Sequence, residues 1–292
     1  MSVLERVRRG RIAAATKVLL YGVEGVGKST WASQWPAPIY LCSEAGTEQL
    51  DVDRLPEPRT WSDVLQAVDA LTSEQHAYQT LVVDTVDWLE PLLWDGVCQR
   101  NKWTNIEAPG YGRGYVEALG EWRLLLRRLE AVRARGIHVV LLGHSTVRRV
   151  NPPDSEPYDR YALKIHEKAA ALLREWSDAV LFAQYDQVVG KAKDARSARA
   201  HATGERVLRT AYGGGWDAKN RLGLADTIPM QAEVVLQALQ APRREPGLAE
   251  LLERIGDMDY TAQVLTWVDQ QPDRAQAEAR AIKRCQEKLN AA

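Results

Sequence analysis

The stretch Lys17-Val18-Leu19-Leu20-Tyr21-Gly22-Val23-Glu24-Gly25-Val26-Gly27-Lys28-Ser29-Thr30 decides how the rest of the chain is read. It opens as a largely apolar run of buried-strand character and passes without a break into Gly-x-x-x-x-Gly-Lys-Ser, the phosphate-binding loop pattern. Glycines let such a loop take positive φ and bring backbone N–H groups against a polyphosphate. A helix beginning near Lys28 would aim its N-terminal end at the same anion. Gly22, Val23, Glu24, Gly25, Val26, Gly27, Lys28, Ser29 and Thr30 are thereby assigned to a nucleotide. Lys28 would reach the β- and γ-phosphates and the Ser29 hydroxyl would ligate magnesium. A Gly-rich turn with an incidental Lys-Ser is the plainer alternative, and the strand before and helix after weigh against it.

Outward from the loop, strand and helix patterns alternate. Apolar runs at Ile39–Cys42, Thr80–Asp84, Ile137–Leu142 and Asp178–Phe182 read as further strands. Helical spacing is expected over Trp31–Trp35, Trp61–Leu71, Val86–Gln99, Val116–Arg135 and Lys164–Trp176. Near-continuous apolar strands alternating with helices imply a parallel sheet covered on both faces. Ligands bind such sheets at the C-terminal strand ends, where Glu44, Asp84 and His144 fall. Thr146–Pro157 reads as an exposed polar link. Gln187–Tyr212 reads as a hairpin with a long loop, Lys191–Gly204. From Lys191 to Arg221 eight Lys/Arg face three Asp/Glu, a basic excess in a chain of net charge −1. Residues 1–16 read as a basic N-terminal arm, 17–228 as the nucleotide-binding core and 229–292 as a helical C-terminal appendage.

Composition excludes little but is consistent. Across 292 residues, 26% charged and 45% hydrophobic is ordinary for a globular chain. Cys42, Cys98 and Cys285 are too dispersed for a zinc site or a disulfide framework. No apolar stretch reaches membrane-spanning length and no leader is evident, so no membrane partner and a cytoplasmic location are expected.

The chemistry is expected from three residues near the loop. Asp84, ending an apolar strand, reads as the second magnesium-side group. Thr85 follows it where one large branch of ATPases carries a glutamate, so a base must come from elsewhere. Glu44, ending the strand expected beside that of Asp84, is the leading candidate, with Asp87 and Glu90 behind it. His144 would lie between the loop and Asp84 and sense the γ-phosphate. Asn101-Lys102-Trp103-Thr104 looks like the start of a guanine-reading motif but lacks its Asp, and Asp84-Thr85-Val86-Asp87 lacks the required Gly, so GTP specificity is rejected.

With these residues placed, the chain resembles the RecA-like P-loop ATPases. Within them it resembles the phage nucleotide-binding proteins of the Sak type, which act in single-strand annealing and recombination. The resemblance rests on Gly22–Thr30, Ser43-Glu44-Ala45-Gly46, Gly110-Tyr111-Gly112-Arg113-Gly114-Tyr115, Gly143-His144-Ser145 and Lys219-Asn220-Arg221-Leu222-Gly223-Leu224. It implies an α/β RecA-like core with a mainly parallel sheet, a β-hairpin extension and a C-terminal helical appendage. ATP and Mg2+ are the implied cofactors. Lys28, Glu44 and His144 are implied as catalytic residues, with His144-Ser145 as sensor and Ser29 and Asp84 on the metal. Single-stranded DNA is the implied partner, met by Tyr111, Arg113, Tyr115, Arg148, Arg149 and Arg160. Lys164, Lys219 and Arg221 are candidates for a charge donated in trans within a ring or filament. A single-stranded DNA-binding protein is a further candidate partner.

The reading reached is a DNA-stimulated ATPase that promotes annealing or recombination and is phage-encoded. The rivals are a nucleotide-dependent loader of a protein partner and a small-molecule kinase with Arg196–Arg209 as a lid.

Overall fold

The computed structural model describes residues 14–153, 156–190, 199–240 and 248–291. Most of the expected basic arm, the loop tip at 191–198 and the break at Pro242 to Pro246 lie outside the described residues. The apolar runs form the centre of one ten-stranded sheet. Strands β1 (Lys17–Gly22), β2 (Pro38–Cys42), β4 (Thr80–Asp84), β5 (His138–Val150) and β7 (Ala179–Gly190) are joined by parallel ladders, and the short β3 (Asp53–Arg54) adds to β2. β8 (Arg199–Arg209) and β10 (Thr227–Pro229) extend the β7 side antiparallel, and β9 (Lys219–Asn220) pairs with the start of β7. The order is β10-β8-β7-β1-β5-β4-β2-β3, with β6 (Tyr158–Leu163) beside the far end of β5.

Because successive strand residues face opposite sides, the sheet builds two cores. Leu19, Tyr21, Leu41, Leu81, Val83, Val139, Leu141 and Phe182 face α2 (Trp61–Ser73), α3 (Val86–Asn101), α4 (Arg113–Ala134) and α5 (Glu167–Trp176). Their neighbours Val18, Leu20, Tyr40, Val82, Val140, Leu142 and Leu181 face α1 (Lys28–Ala32) and α6 (Ala232–Gln240), through Trp31, Ala32, Ala232 and Val235. Burial on both faces is why these strands read as unbroken apolar runs.

Several expectations change. The expected fifth strand and the first arm of the hairpin are one continuous strand, β7. The polar link at Thr146–Pro157 is largely the arms of a hairpin: β5 continues to Val150 and pairs with β6 from Ser145↔Leu163 to Val150↔Tyr158. It runs past the core, so its outer residues show no apolar alternation for a sequence reading to catch. Helix α4 also starts earlier, directly after Gly112 in the left-handed region, inside the Gly/Tyr link.

The chain divides into two compact units, Met1–Leu239 and Gln240–Ala292. The second comprises α7 (Leu248–Ile255), α8 (Met258–Asp269) and α9 (Arg274–Ala291), around Leu248, Leu251, Leu252, Val268, Ala277, Ala281 and Cys285. Among the described residues no helix is long and apolar enough to cross a membrane.

Candidate nucleotide site

Strand order builds the site. β5 lies between β1 and β4, and β4 lies against β2, so the C-terminal ends carrying the loop, His144, Asp84 and Glu44 follow one another along one edge. Register fixes their level: Gly22 pairs with His144 and Cys42 with Asp84. The loop leaves β1 where a Cβ on Gly22 would sit 2.2 Å from the Ala183 carbonyl oxygen of β7. It turns into α1 through Gly27, whose φ of 97° only glycine adopts readily.

Lys28 is buried and folds back on its own loop, donating from Nζ to the Val23 carbonyl at 3.1 Å. Burial pushes its pKa down, against the pull of Asp84, Asp87, Glu44 and Glu24. Asp84 is 3% exposed and hydrogen-bonded by the Ser29 side chain. Its Oδ2 is buried without a hydrogen-bond partner. Burial raises the Asp84 pKa, so a cation opposite it would relieve an unfavourable charge. An orphaned carboxylate oxygen beside a serine hydroxyl fits a magnesium ion that keeps waters and substrate phosphates as its other ligands. No cluster of three or more His, Cys, Asp or Glu among the described residues could cage an ion with protein groups alone.

A second set of bonds joins the strand ends. The Ser43 N–H donates to the Asp84 carbonyl and its hydroxyl to the Thr85 carbonyl, both at 2.8 Å. The Asp84–Thr85 peptide is cis. The Thr85 hydroxyl donates to Glu44 Oε1 at 3.1 Å, fixing that carboxylate over the end of β4. His144 Nε2 lies 4.0 Å from the same oxygen. On the other side of the ring, Nδ1 meets Asp87 Oδ2 at 2.8 Å, and the His144 backbone N–H donates to Asp87 Oδ1 at 2.9 Å. Burial alone would raise the Asp87 pKa, but the bonds from His144 outweigh it and hold the carboxyl below its usual range. An ionised Asp87 sets the tautomer, with the proton on Nδ1. Glu44 moves the opposite way: burial raises its pKa, and the nearby His144 and the Thr85 bond only partly offset this.

Asp87 and Glu90, the expected spare bases, have other partners. Asp87 holds His144. Glu90 accepts the His166 N–H at 3.0 and 2.9 Å, among Trp94, Tyr115 and Trp122.

The remaining candidates scatter. Tyr111 and Arg113 are exposed at the start of α4. Tyr115 is instead taken up, stacked on His166 at 4.5 Å between ring centroids and bonded to Glu107. Arg149 is exposed near Asp159, whereas Arg148 donates to the Ile165 carbonyl. Arg160 was expected on a nucleic-acid phosphate. Its guanidinium is instead drawn into an ion pair with Asp217 at 3.0 Å, and its side chain is 13% exposed. Among the candidate trans charges, Lys164 is exposed and its N–H donates to the His144 carbonyl. Lys219 Nζ is engaged by the Arg174, Glu175 and Ser177 carbonyls at the end of α5. Arg221 is exposed, 3.9 Å from Asp178.

Two residues beside the loop were missed. Tyr185, in β7, donates from its hydroxyl to the Gly25 carbonyl at 3.2 Å. Arg206, its partner in β8, places Nη1 2.7 Å from where a Cβ of Gly27 would be. The basic excess of the surrounding segment was the only sequence signal.

A family model described as an AAA domain matches residues 14–222, well over half of the chain. The chain belongs to this AAA-domain family. The match spans β1 to β9 and therefore every strand end of the site. The AAA domain is a nucleotide-binding domain of the P-loop NTPase class, which accounts for the loop, Ser29 and Asp84 as one unit. No curated protein matches the chain.

Proposed function

We propose that the protein is a RecA-like ATPase that assembles on single-stranded DNA and promotes annealing or recombination, as the Sak-type resemblance implies. The observation that carries the ATPase reading is the Glu44 carboxylate, held by Thr85 and facing His144 on the edge that also bears Lys28 and Asp84. Lys28 binds the β- and γ-phosphates of ATP. Magnesium, held by Ser29 and Asp84, would neutralise charge developing on the phosphoryl oxygens. Glu44 accepts a proton from, and orients, the attacking water, and Thr85 restricts its rotation. His144, fixed by Asp87, would offer Nε2 to the γ-phosphate and link the state of the phosphate to β5.

That link supports the DNA part of the reading. β5 carries His144 at its centre and ends in the hairpin with exposed Arg149, while α3, which holds Asp87, is followed by exposed Tyr111 and Arg113. Aromatic rings and arginines on such loops suit stacked bases and a phosphate backbone.

The test is equilibrium binding of a labelled single-stranded oligonucleotide, with and without ATP. Binding that weakens steeply with salt and is reduced by Arg149→Ala and Tyr111→Ala is expected. Absence of salt-sensitive binding at low ionic strength would move the protein to the partner-loading reading. Transfer of phosphate to an acceptor other than water would move it to the kinase reading.

A further inference from the structure

Strand β7 runs past the end of its ladder with β1. Gly22↔Ala183 is the last pair, and Tyr185 lies two residues further on, on the same sheet face as Ala183 and α1. This brings its hydroxyl onto the Gly25 carbonyl. Arg206 stands directly across from Tyr185 in β8, with its guanidinium carbon 5.9 Å from the ring centroid. The backbone here is fixed by the Met230 N–H, which donates to the Arg206 carbonyl at 3.0 Å. No carboxylate among the described residues pairs with Arg206, although Arg209, three residues on in the same strand, reaches Asp186. Its guanidinium lies against Gly27, immediately before Lys28.

We propose that Arg206 is a nucleotide-binding residue acting within its own chain, reaching the polyphosphate from beside Gly27 of the loop, with Tyr185 as the positioning residue. The inference rests on the phosphate-loop reading and extends it: the β7–β8 hairpin becomes the second wall of the site. A planar guanidinium offers several donors to phosphate oxygens, and removing the Gly27 side chain is what lets it approach the loop. Gly27 thus serves two ends, its own positive φ and clearance for Arg206. Bound phosphate would replace water around an exposed cation and tie the hairpin to the loop.

The experiment is calorimetric titration of the full-length protein with ATP in magnesium buffer, comparing wild type, Lys28→Ala, Arg206→Ala and Arg206→Lys. Inorganic tripolyphosphate serves as a second probe. Arg206→Ala should weaken ATP binding by roughly tenfold or more, the scale of a lost charged hydrogen bond. It should weaken tripolyphosphate binding in parallel, and Arg206→Lys should recover part of the loss. The melting temperature without nucleotide should be unchanged, because the side chain is exposed. If Arg206→Ala binds ATP like wild type while Lys28→Ala does not, the inference fails and the phosphate-loop reading stands. If wild type binds neither probe, both fail.

Discussion

In the proposed mechanism Glu44 acts through a carboxyl that burial makes a stronger base than an exposed one. Because its pKa is raised, it must lose its proton at higher pH than an ordinary glutamate, whose value is 4.5, before it can orient water. ATP hydrolysis should therefore rise with pH on an acidic limb displaced upward from 4.5. Asp87→Asn should keep ATP affinity but lower turnover by about tenfold, since His144 loses its fixed tautomer. A matched fall in affinity would contradict that positioning role. Glu90 gives a stability prediction. Burial raises its pKa from 4.5 to about 7, so the folded state holds a proton that the unfolded chain has released. Its stabilising contribution is complete below 4.5 and is lost as pH rises to about 7. The loss is at most about 3 kcal/mol, and Glu90→Gln should flatten that slope in urea titrations. The positions of Asp84 and Lys28 were legible because they end β4 and begin α1, and that of Glu44 because it lies two residues past the end of β2. The Asp87–His144 bond and Arg206 were not, because they join residues brought together only by strand order.

At the scale of elements, the close approach of β1 and β7 sets a strict demand. In Gly22→Ala the new methyl would lie 2.2 Å from a ladder carbonyl that cannot withdraw without breaking the sheet. About 2 kcal/mol or more of destabilisation is expected, measured by thermal melting. Gly120→Ala is the control: it is mid-helix in α4, exposed, with nothing within 4 Å of the new Cβ. That change should stabilise by about 0.5–1 kcal/mol. The core strands were readable because burial on both faces leaves an unbroken apolar record. The β5–β6 ribbon was not, since its outer pairs answer to solvent and to their own backbone ladder. Arg160 and Lys219 show the same limit for charges: both looked available, yet Asp217 and the carbonyls ending α5 take them inward.

At the scale of the whole molecule, the loop, His144, Asp84 and Glu44 share the sheet edge from which the β5–β6 hairpin leaves. The AAA domain spans that machinery, while the second unit, Gln240–Ala292, has a core of its own. Arg149→Ala should weaken single-stranded DNA binding equally for unrelated sequences and reduce its salt slope by about one charge, because a phosphate contact reads no sequence. The most direct test of the account is ATP hydrolysis by the purified protein with and without single-stranded DNA, alongside Lys28→Ala and Glu44→Gln. Hydrolysis that DNA accelerates and that either substitution reduces by roughly a hundredfold or more is expected. Hydrolysis that ignores DNA at low salt, or that survives Glu44→Gln, would contradict it.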